Sequence, residues 1–438
     1  MDPMQPLGVE EAARLLAPLA SYPHVALAVS GGPDSLALMQ LVHRVRSSGG
    51  LRTEITVLSV DHGLRAGSRE ETLMVAEMAA QLGFGHAILT WSPPEHHAGG
   101  LQASARAARY GLMAAYCHAH DIPALVTAHH LDDQAETMLM RLKRGSGLDG
   151  LAAIPEQSLW AGIVVLRPLL DVPKARLKAT LTAEGIGWVD DPSNIDPRFE
   201  RARVRAASDA LVALGLTPQA LARSAQRLRR ARAALDHVTD DFLVAHSVMS
   251  EAGYCTLDGN ALASAPDEIA LRVLARVVEA VGARSLPLRL AKLETMLDAL
   301  KAAPAKTHTL GGCRIQPLGD CLGVFRETRG SGLPVLSLAP GERALWDNRF
   351  RVELSRKASG PVTVKALGDD GFRDARSNFD WLASLYPIAG RTLPSCWCDE
   401  VLLFVPELGR VGGNPSFAAQ FINQPSLLKG SMQLGRSR

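Results

Sequence analysis

The chain has 438 residues, 47% hydrophobic and 21% charged, a globular balance that excludes disorder over any large fraction and predicts about three domains. Its net charge of +2 conceals 38 arginines against 9 lysines, much of the arginine clustered, so the total excludes no charged partner. Cys117, Cys255, Cys313, Cys321, Cys396 and Cys398 contain no C-x-x-C pair, no stretch approaches 18 apolar residues, and Asp2, Glu10 and Glu11 do not suit a signal peptide; the expectation is a cytoplasmic protein with reduced thiols, no membrane span, and neither a zinc ribbon nor a thioredoxin motif.

The first 190 residues alternate short β-branched runs with helical patterns. Residues 24–29 read as a buried strand, 35 to about 45 as the helix after it, and 55–60 as the next strand. Ser68-Arg69-Glu70-Glu71 has the spacing of a capping box opening a helix to about residue 82. Residues 87–91 and 124–128 read as further strands, with a helix around 103–119 between them. This alternation predicts an α/β domain over residues 1–215: a parallel sheet with helices on both faces and right-handed crossovers.

Ser30-Gly31-Gly32-Pro33-Asp34-Ser35 joins the first strand to the first helix. Two glycines let the backbone approach an anion, the turn aims N–H groups at it, and the helix end adds positive potential. Ser30 and Ser35 offer hydroxyl donors. A helix end carries only about half a charge, too little for a triphosphate, so magnesium and arginines are needed. Asp34 is the carboxylate to hold the metal. A two-glycine turn alone is usually just a turn; its place at the carboxyl end of the first strand favours the phosphate reading. Gly145-Ser146-Gly147-Leu148-Asp149-Gly150 matches a dinucleotide fingerprint in letters only, because it follows a helix rather than a strand. No G-x-x-x-x-G-K-[ST] loop occurs.

Thr127-Ala128-His129-His130-Leu131-Asp132-Asp133-Gln134-Ala135-Glu136-Thr137 follows the fourth strand. Ala135, Met138, Leu139 and Leu142 have the spacing of a buried stripe. Asp133 and Glu136 lie off it and are expected on one exposed face, while Asp132 reads as an N-cap. Acidic residues in a first turn are commonly dipole complements. His129 suits either a phosphate or carboxylate contact or a core position, and His130 reads as exposed and polar. Cys117-His118-Ala119-His120 lacks metal spacing.

Residues 198–232 hold nine arginines and only Glu200 and Asp209 as acids. Arg201, Arg203 and Arg205 alternate and would share a side if extended; Arg223, Arg227 and Arg230 share a helical face. Single-sign clustering of arginine favours a phosphate-binding track for RNA. Residues 216–330 read as a helical domain, ending in a glycine- and proline-rich linker at 311–333 with a short hairpin. Residues 331–438 read as a small domain with substantial β content.

The phosphate loop, Val60-Asp61-His62-Gly63-Leu64-Arg65, Ala105-Arg106-Ala107-Ala108-Arg109-Tyr110 and residues 129–137 together resemble the PP-loop ATP pyrophosphatases, of adenine nucleotide alpha-hydrolase-like fold. Residues 141–147, Asp190-Asp191-Pro192-Ser193-Asn194 and Asp196 with the arginines after it resemble the tRNA(Ile)-lysidine synthetase family. Trp346-Asp347-Asn348-Arg349-Phe350 resembles that family's longer members. The likeness is detailed over about the first 205 residues. Gln102, where an acidic residue is frequent, and Leu131, in place of a small one, depart from the pattern.

The resemblance implies that ATP, with Mg2+, adenylates the wobble cytidine of the CAU anticodon of tRNA(Ile). Free lysine then attacks and AMP leaves. It implies ATP binding by Ser30, Gly31, Gly32, Pro33, Asp34, Ser35, Asp61, His62, Arg106 and His129, with Asp34 on the metal. Asp133 and Glu136 would take the lysine ammonium and Arg109 its carboxylate, and catalysis would rest on Asp34, Arg109, Asp133 and Glu136. Arg201, Arg203, Arg205, Arg223, Arg227 and Arg230 would bind tRNA, and a homodimer is left open. A tRNA thiolase is the nearest rival, but needs a reactive cysteine beside the nucleotide, where only Cys117 is available. An ammonia-using amide synthetase would call for a glutaminase-like domain, and a nucleotide-sensing RNA-binding protein would not need Asp133, Glu136 and Arg109.

Overall fold

The computed structural model describes residues 5–61, 63, 67–91, 101–189, 196, 198, 200–284, 288–328, 332–398, 400–406 and 417–422, with residues 101–106 described by their backbone alone. The chain forms two compact units, Met1–Arg232 and Ala233–Arg438. The first is built on β1 (His24–Ala28), β2 (Glu54–Asp61), β3 (Gly85–Thr90), β4 (Ala124–Val126), β5 (Gln157–Trp160) and β6 (Ile163–Leu166). Their order is β3-β2-β1-β4-β6-β5. All neighbours pair parallel except the β5–β6 edge hairpin.

Among the described residues ten α-helices begin in this unit: α1 (Val9–Leu16), α2 (Pro33–Ser47), α3 (Ser68–Gln81), α4 (Leu101–Ala119), α5 (Leu131–Lys143), α6 (Leu148–Leu151), α7 (Lys174–Ala183), α8 (Glu200–Ala206), α9 (Ser208–Ala213) and α10 (Pro218–His246). Strand alternation places α2, α3 and α7 on one face and α4 on the other. Val25 and Leu27 pack with Leu38, Leu41, Val75 and Leu177 of α2, α3 and α7. Ala26 and Leu58 pack with Met113, Ala114 and Cys117 of α4. Burial on both faces explains why these strands read as unbroken apolar runs. The expected capping box at Ser68 does not form. Gly67 is the N-cap, and Ser68 is already the first helical residue, with its side chain buried.

In the second unit β7 (Ser247–Met249), β8 (Cys255–Asp258), β9 (His308–Leu310), β10 (Cys313–Leu318) and β11 (Cys321–Arg326) form an antiparallel sheet in the order β7-β8-β11-β10-β9. It packs against α12 (Asp267–Val281) and α13 (Leu290–Ala302), after the short α11 (Gly259–Ser264). The stretch read as a linker with a hairpin therefore lies mid-sheet, and the stretch read as helical carries β7, β8 and β9, strands too short to show periodicity. β12 (Leu336–Leu338), β13 (Arg343–Trp346), β14 (Phe350–Leu354), β15 (Val362–Ala366), β16 (Pro394–Cys398), β17 (Val401–Phe404) and β18 (Phe417–Phe421) complete a second core, as two small sheets.

The Trp346–Phe350 motif is the turn between β13 and β14. Arg349, fully buried, donates to Asp347 at 2.7 Å and to the Thr392 carbonyl at 3.1 Å. Arg326 donates to both Asp347 oxygens at 3.0 and 2.9 Å. The motif is thus a buried ionic clasp between the two cores of this unit. Among the described residues, no helix is long and apolar enough to cross a membrane.

Candidate active site

In the first sheet β2 and β3 lie to one side of β1, and β4, β6 and β5 to the other. The connections leaving β1 and β4 therefore diverge and open a crevice at the strands' carboxyl ends. Residues 29–32 and 127–130 line it. Gly31 has φ +80°, in the left-handed region where a side chain is strained, and its carbonyl accepts from Val189 N at 3.2 Å. The Ser30 N–H donates to Ser35 Oγ at 3.1 Å, and Ser35 Oγ donates to the Gly32 carbonyl at 3.0 Å. Gly32 is the N-cap of α2 and Pro33 its first residue, so the positive end of a 15-residue helix faces the crevice.

Asp34 lies in the first turn of α2. Its Oδ2 accepts from Lys174 Nζ at 3.0 Å and faces His130 Nε2 at 3.4 Å. Among the described residues its Oδ1 is buried without a hydrogen-bond partner. An orphaned carboxylate oxygen beside an anion loop fits magnesium, which commonly takes one or two protein carboxylates and completes its shell with phosphate and water. Among the described residues no group of three or more His, Cys, Asp or Glu is arranged to hold a metal by itself.

His130 caps α5 and is only 2% exposed. Its Nε2 lies 3.5 Å from Asp133 Oδ2, and its Nδ1 3.6 Å from Asp132 Oδ2, an ion-pair distance beyond a hydrogen bond. Burial opposes charge on the ring. The surrounding carboxylates of Asp132, Asp34 and Asp133 outweigh it and raise the imidazole to about 10. Burial likewise pushes the Asp34, Asp132 and Asp133 carboxyls up, yet their cationic neighbours, His130 foremost, hold all three below the usual range.

Asp133 and Glu136 are brought together, but each is about 7% exposed rather than lying on an open face. Asp133 Oδ1 accepts from Arg201 Nη1 at 3.3 Å. Glu136 Oε1 accepts from Arg205 Nε at 2.5 Å and Oε2 from Arg205 Nη2 at 3.2 Å. The expected alternation of Arg201, Arg203 and Arg205 along an extended strand fails because α8 is a helix. Arg201 and Arg205 share a face four residues apart, whereas Arg203 donates to the Arg198 carbonyl at 3.0 Å. Asp132 does not cap its own helix; its Oδ2 accepts the Lys174 N–H at 2.9 Å, capping α7. The apolar stripe is also narrower than expected, with Ala135 buried but Leu142 57% exposed.

Asp61 ends β2 and its Oδ1 accepts the Gly63 N–H at 3.0 Å. His129 Nδ1 lies 2.8 Å from Thr127 Oγ1. Arg109 is half-buried on α4 with its guanidinium 6.0 Å from the Tyr110 ring. His62 and residues 190–195 lie outside the described residues, and of Arg106 only the helical backbone is described. Arg223, Arg227 and Arg230 are exposed on α10. On the same helix Arg229 reaches the Ala152 carbonyl at 3.4 Å and Arg232 reaches Asp149 at 3.2 Å. Cys117 lies in the core beneath the sheet, and burial raises its thiol to about 11. Sequence reasoning missed His130 and Lys174. The only signals were a second histidine in the motif and a rare lysine opening a helix directly after Pro173.

A PP-loop domain family matches residues 7–208. The chain is 45% identical over 303 residues to the tRNA(Ile)-lysidine synthase of a Bradyrhizobium species, covering 67% of this chain and 84% of that one. It is 37% identical to the tRNA(Ile)-lysidine synthase of Ruegeria pomeroyi over 393 residues, 88% of this chain and 89% of that one. Among solved structures it is similar to the U34-tRNA thiolase NcsA of Methanococcus maripaludis, at 17% identity and a TM-score of 0.42, over 50% of this chain and 78% of that one. With relatives of this identity matched over most of their length, the chain belongs to the tRNA(Ile)-lysidine synthase family.

Proposed function

We propose that this chain converts the wobble cytidine of tRNA(Ile) bearing a CAU anticodon to lysidine, using ATP and free lysine in the cytoplasm. The cytidine 2-carbonyl oxygen attacks the α-phosphorus of ATP and pyrophosphate leaves. The ε-amine of lysine then adds to the activated carbon, and AMP departs with that oxygen. The observation that carries the reading is the pair Asp133 and Glu136, buried in the same crevice as the Ser30–Ser35 loop and already holding two guanidinium cations.

Lysine's ε-amine has a pKa near 10.4, so only about one molecule in 2,500 is neutral at pH 7. A carboxylate pair binds the ammonium, and one member can accept a proton as attack proceeds. Arg201 and Arg205 occupy that place in the structure, and tRNA phosphates would compete for them, freeing the carboxylates as the RNA arrives. Arg109 would hold the lysine carboxylate. Magnesium, when bound, would supply positive charge to the triphosphate; Asp34 would hold it through Oδ1. Ser30, Ser35 and the α2 N-terminus would orient the phosphates, with Asp61, His62, Arg106 and His129 completing the nucleotide pocket. The thiolase alternative is disfavoured because Cys117 belongs to the core, with a thiol that burial keeps protonated.

Glu136→Gln tests the division of labour. Losing a charged hydrogen bond costs on the order of 1.5–3 kcal/mol, roughly ten- to a hundredfold in lysine affinity. The variant should release pyrophosphate and accumulate adenylated tRNA, trapped with labelled ATP, while lysidine formation stalls. Normal lysine binding without adenylated tRNA would place Glu136 in the ATP step instead.

A further inference from the structure

Asp34, Asp132, Asp133 and Glu136 face His130, Lys174, Arg201 and Arg205 in one connected set of ion pairs. Four negative groups thus meet four positive ones within this set before any substrate enters. A triphosphate with one divalent cation brings a net charge of about −2 at neutral pH, so some resident cation must turn to the phosphates. His130 is held at the N-cap of α5, and Arg201 and Arg205 are engaged at the carboxylate pair. Lys174 differs from all three. Its backbone N–H is satisfied by Asp132, so its side chain has no capping duty. Its ammonium, on a flexible four-carbon stem at the positive end of the ten-residue α7, touches a single Asp34 oxygen among the described residues, and its side chain is one-third exposed.

We propose that Lys174 is a phosphate-binding catalytic residue of the adenylation step and that in the free protein its ammonium neutralises, through Oδ2, the same Asp34 carboxylate whose Oδ1 would hold the metal. On arrival of the metal–nucleotide complex, the ammonium leaves Asp34 for the phosphate oxygens. In that step the bond from the cytidine oxygen to the α-phosphorus forms and the bond to the β-phosphate bridging oxygen breaks. Negative charge then grows on the leaving pyrophosphate, where a nearby ammonium is most effective. The assignment rests on the reading of the Ser30–Ser35 loop as the nucleotide site.

The test uses opposite signs. Lys174→Met keeps the length of the side chain and removes its charge, so Asp34 loses a competitor. Mn2+ binding to the nucleotide-free protein, read by electron paramagnetic resonance, should tighten several-fold. Pyrophosphate release with ATP, magnesium and tRNA should fall ten- to a hundredfold, the range for a lost charged hydrogen bond. Lys174→Arg should recover most of that release. A purely structural role would weaken both measurements together and shift thermal unfolding; that outcome, or no change in either, overturns the proposal. Asp34→Asn separates the two levels. If it abolishes Mn2+ and ATP binding while Lys174→Met changes nothing, only the Lys174 assignment falls. If Asp34→Asn itself leaves both intact, the nucleotide-site reading falls with it.

Discussion

The carboxylate oxygens of the crevice are not equivalent. Asp34 Oδ1 is buried and unpaired among the described residues, Asp132 Oδ2 is committed to the end of α7, and Asp133 Oδ1 and both Glu136 oxygens hold guanidinium groups. One acidic cluster thereby divides into a metal position, a structural cap and an ammonium position. Thiols divide in the same way. Cys117 is fully buried and its pKa is raised to about 11, whereas Cys321 and Cys398 are exposed. A thiol-specific aromatic disulfide at pH 8 should therefore label Cys321 and Cys398 in the native protein and reach Cys117 only after unfolding. Native labelling of Cys117, mapped by peptide mass, would return the cysteine-dependent chemistry to consideration. The carboxylates were legible as a motif because their residue types and spacing suffice to suggest them. Burial of His130 was not legible, because its three carboxylate neighbours come from two helices separated by about a hundred residues of chain.

At the scale of elements, the crevice depends on helices held from outside it. Arg176 of α7 donates to both Glu11 oxygens of α1 at 2.7 and 2.8 Å and to the Gln5 carbonyl at 2.9 Å. The Arg176 hydrogen bonds hold the Glu11 carboxyl below its usual range. A depressed carboxylate contributes stability that is present above the unfolded pKa and lost as pH falls through the folded one. The stability of the native protein should therefore fall towards that of Glu11→Gln as the pH drops below about 4.3, and exceed it at pH 7. Denaturant titrations at several pH values check this; curves that stay parallel down to pH 3 would exclude the contact from the stability balance. The main strands were legible because burial on both faces leaves an apolar run bounded by turn residues. β7 and β9 have three residues each and owe their existence to partners in the sheet, a signal that no local window carries.

For the molecule as a whole, a net charge of +2 conceals an arginine-rich stretch around α8 and α10. Arg201 and Arg205 turn inward to carboxylates, while Arg223, Arg227 and Arg230 face outward without an acidic partner among the described residues. Composition alone could not separate the two groups, because the distinction depends on which helical faces meet. Replacing Arg223, Arg227 and Arg230 with Gln should weaken tRNA binding and reduce the slope of log affinity against log salt by up to about 0.7–0.9 per lost phosphate contact. ATP affinity should barely move. An unchanged salt slope would exclude this face from the RNA path. On the proposed assignment, lysine is joined to the wobble base in the crevice of the first unit. Mass spectrometry of the anticodon nucleotides after incubating tRNA(Ile), ATP and isotope-labelled lysine with the protein tests it most directly. The expected result is a wobble cytidine heavier by one labelled lysine less one water, formed only with ATP present and lost in Glu136→Gln; pyrophosphate release with no labelled lysine on that nucleotide would contradict it.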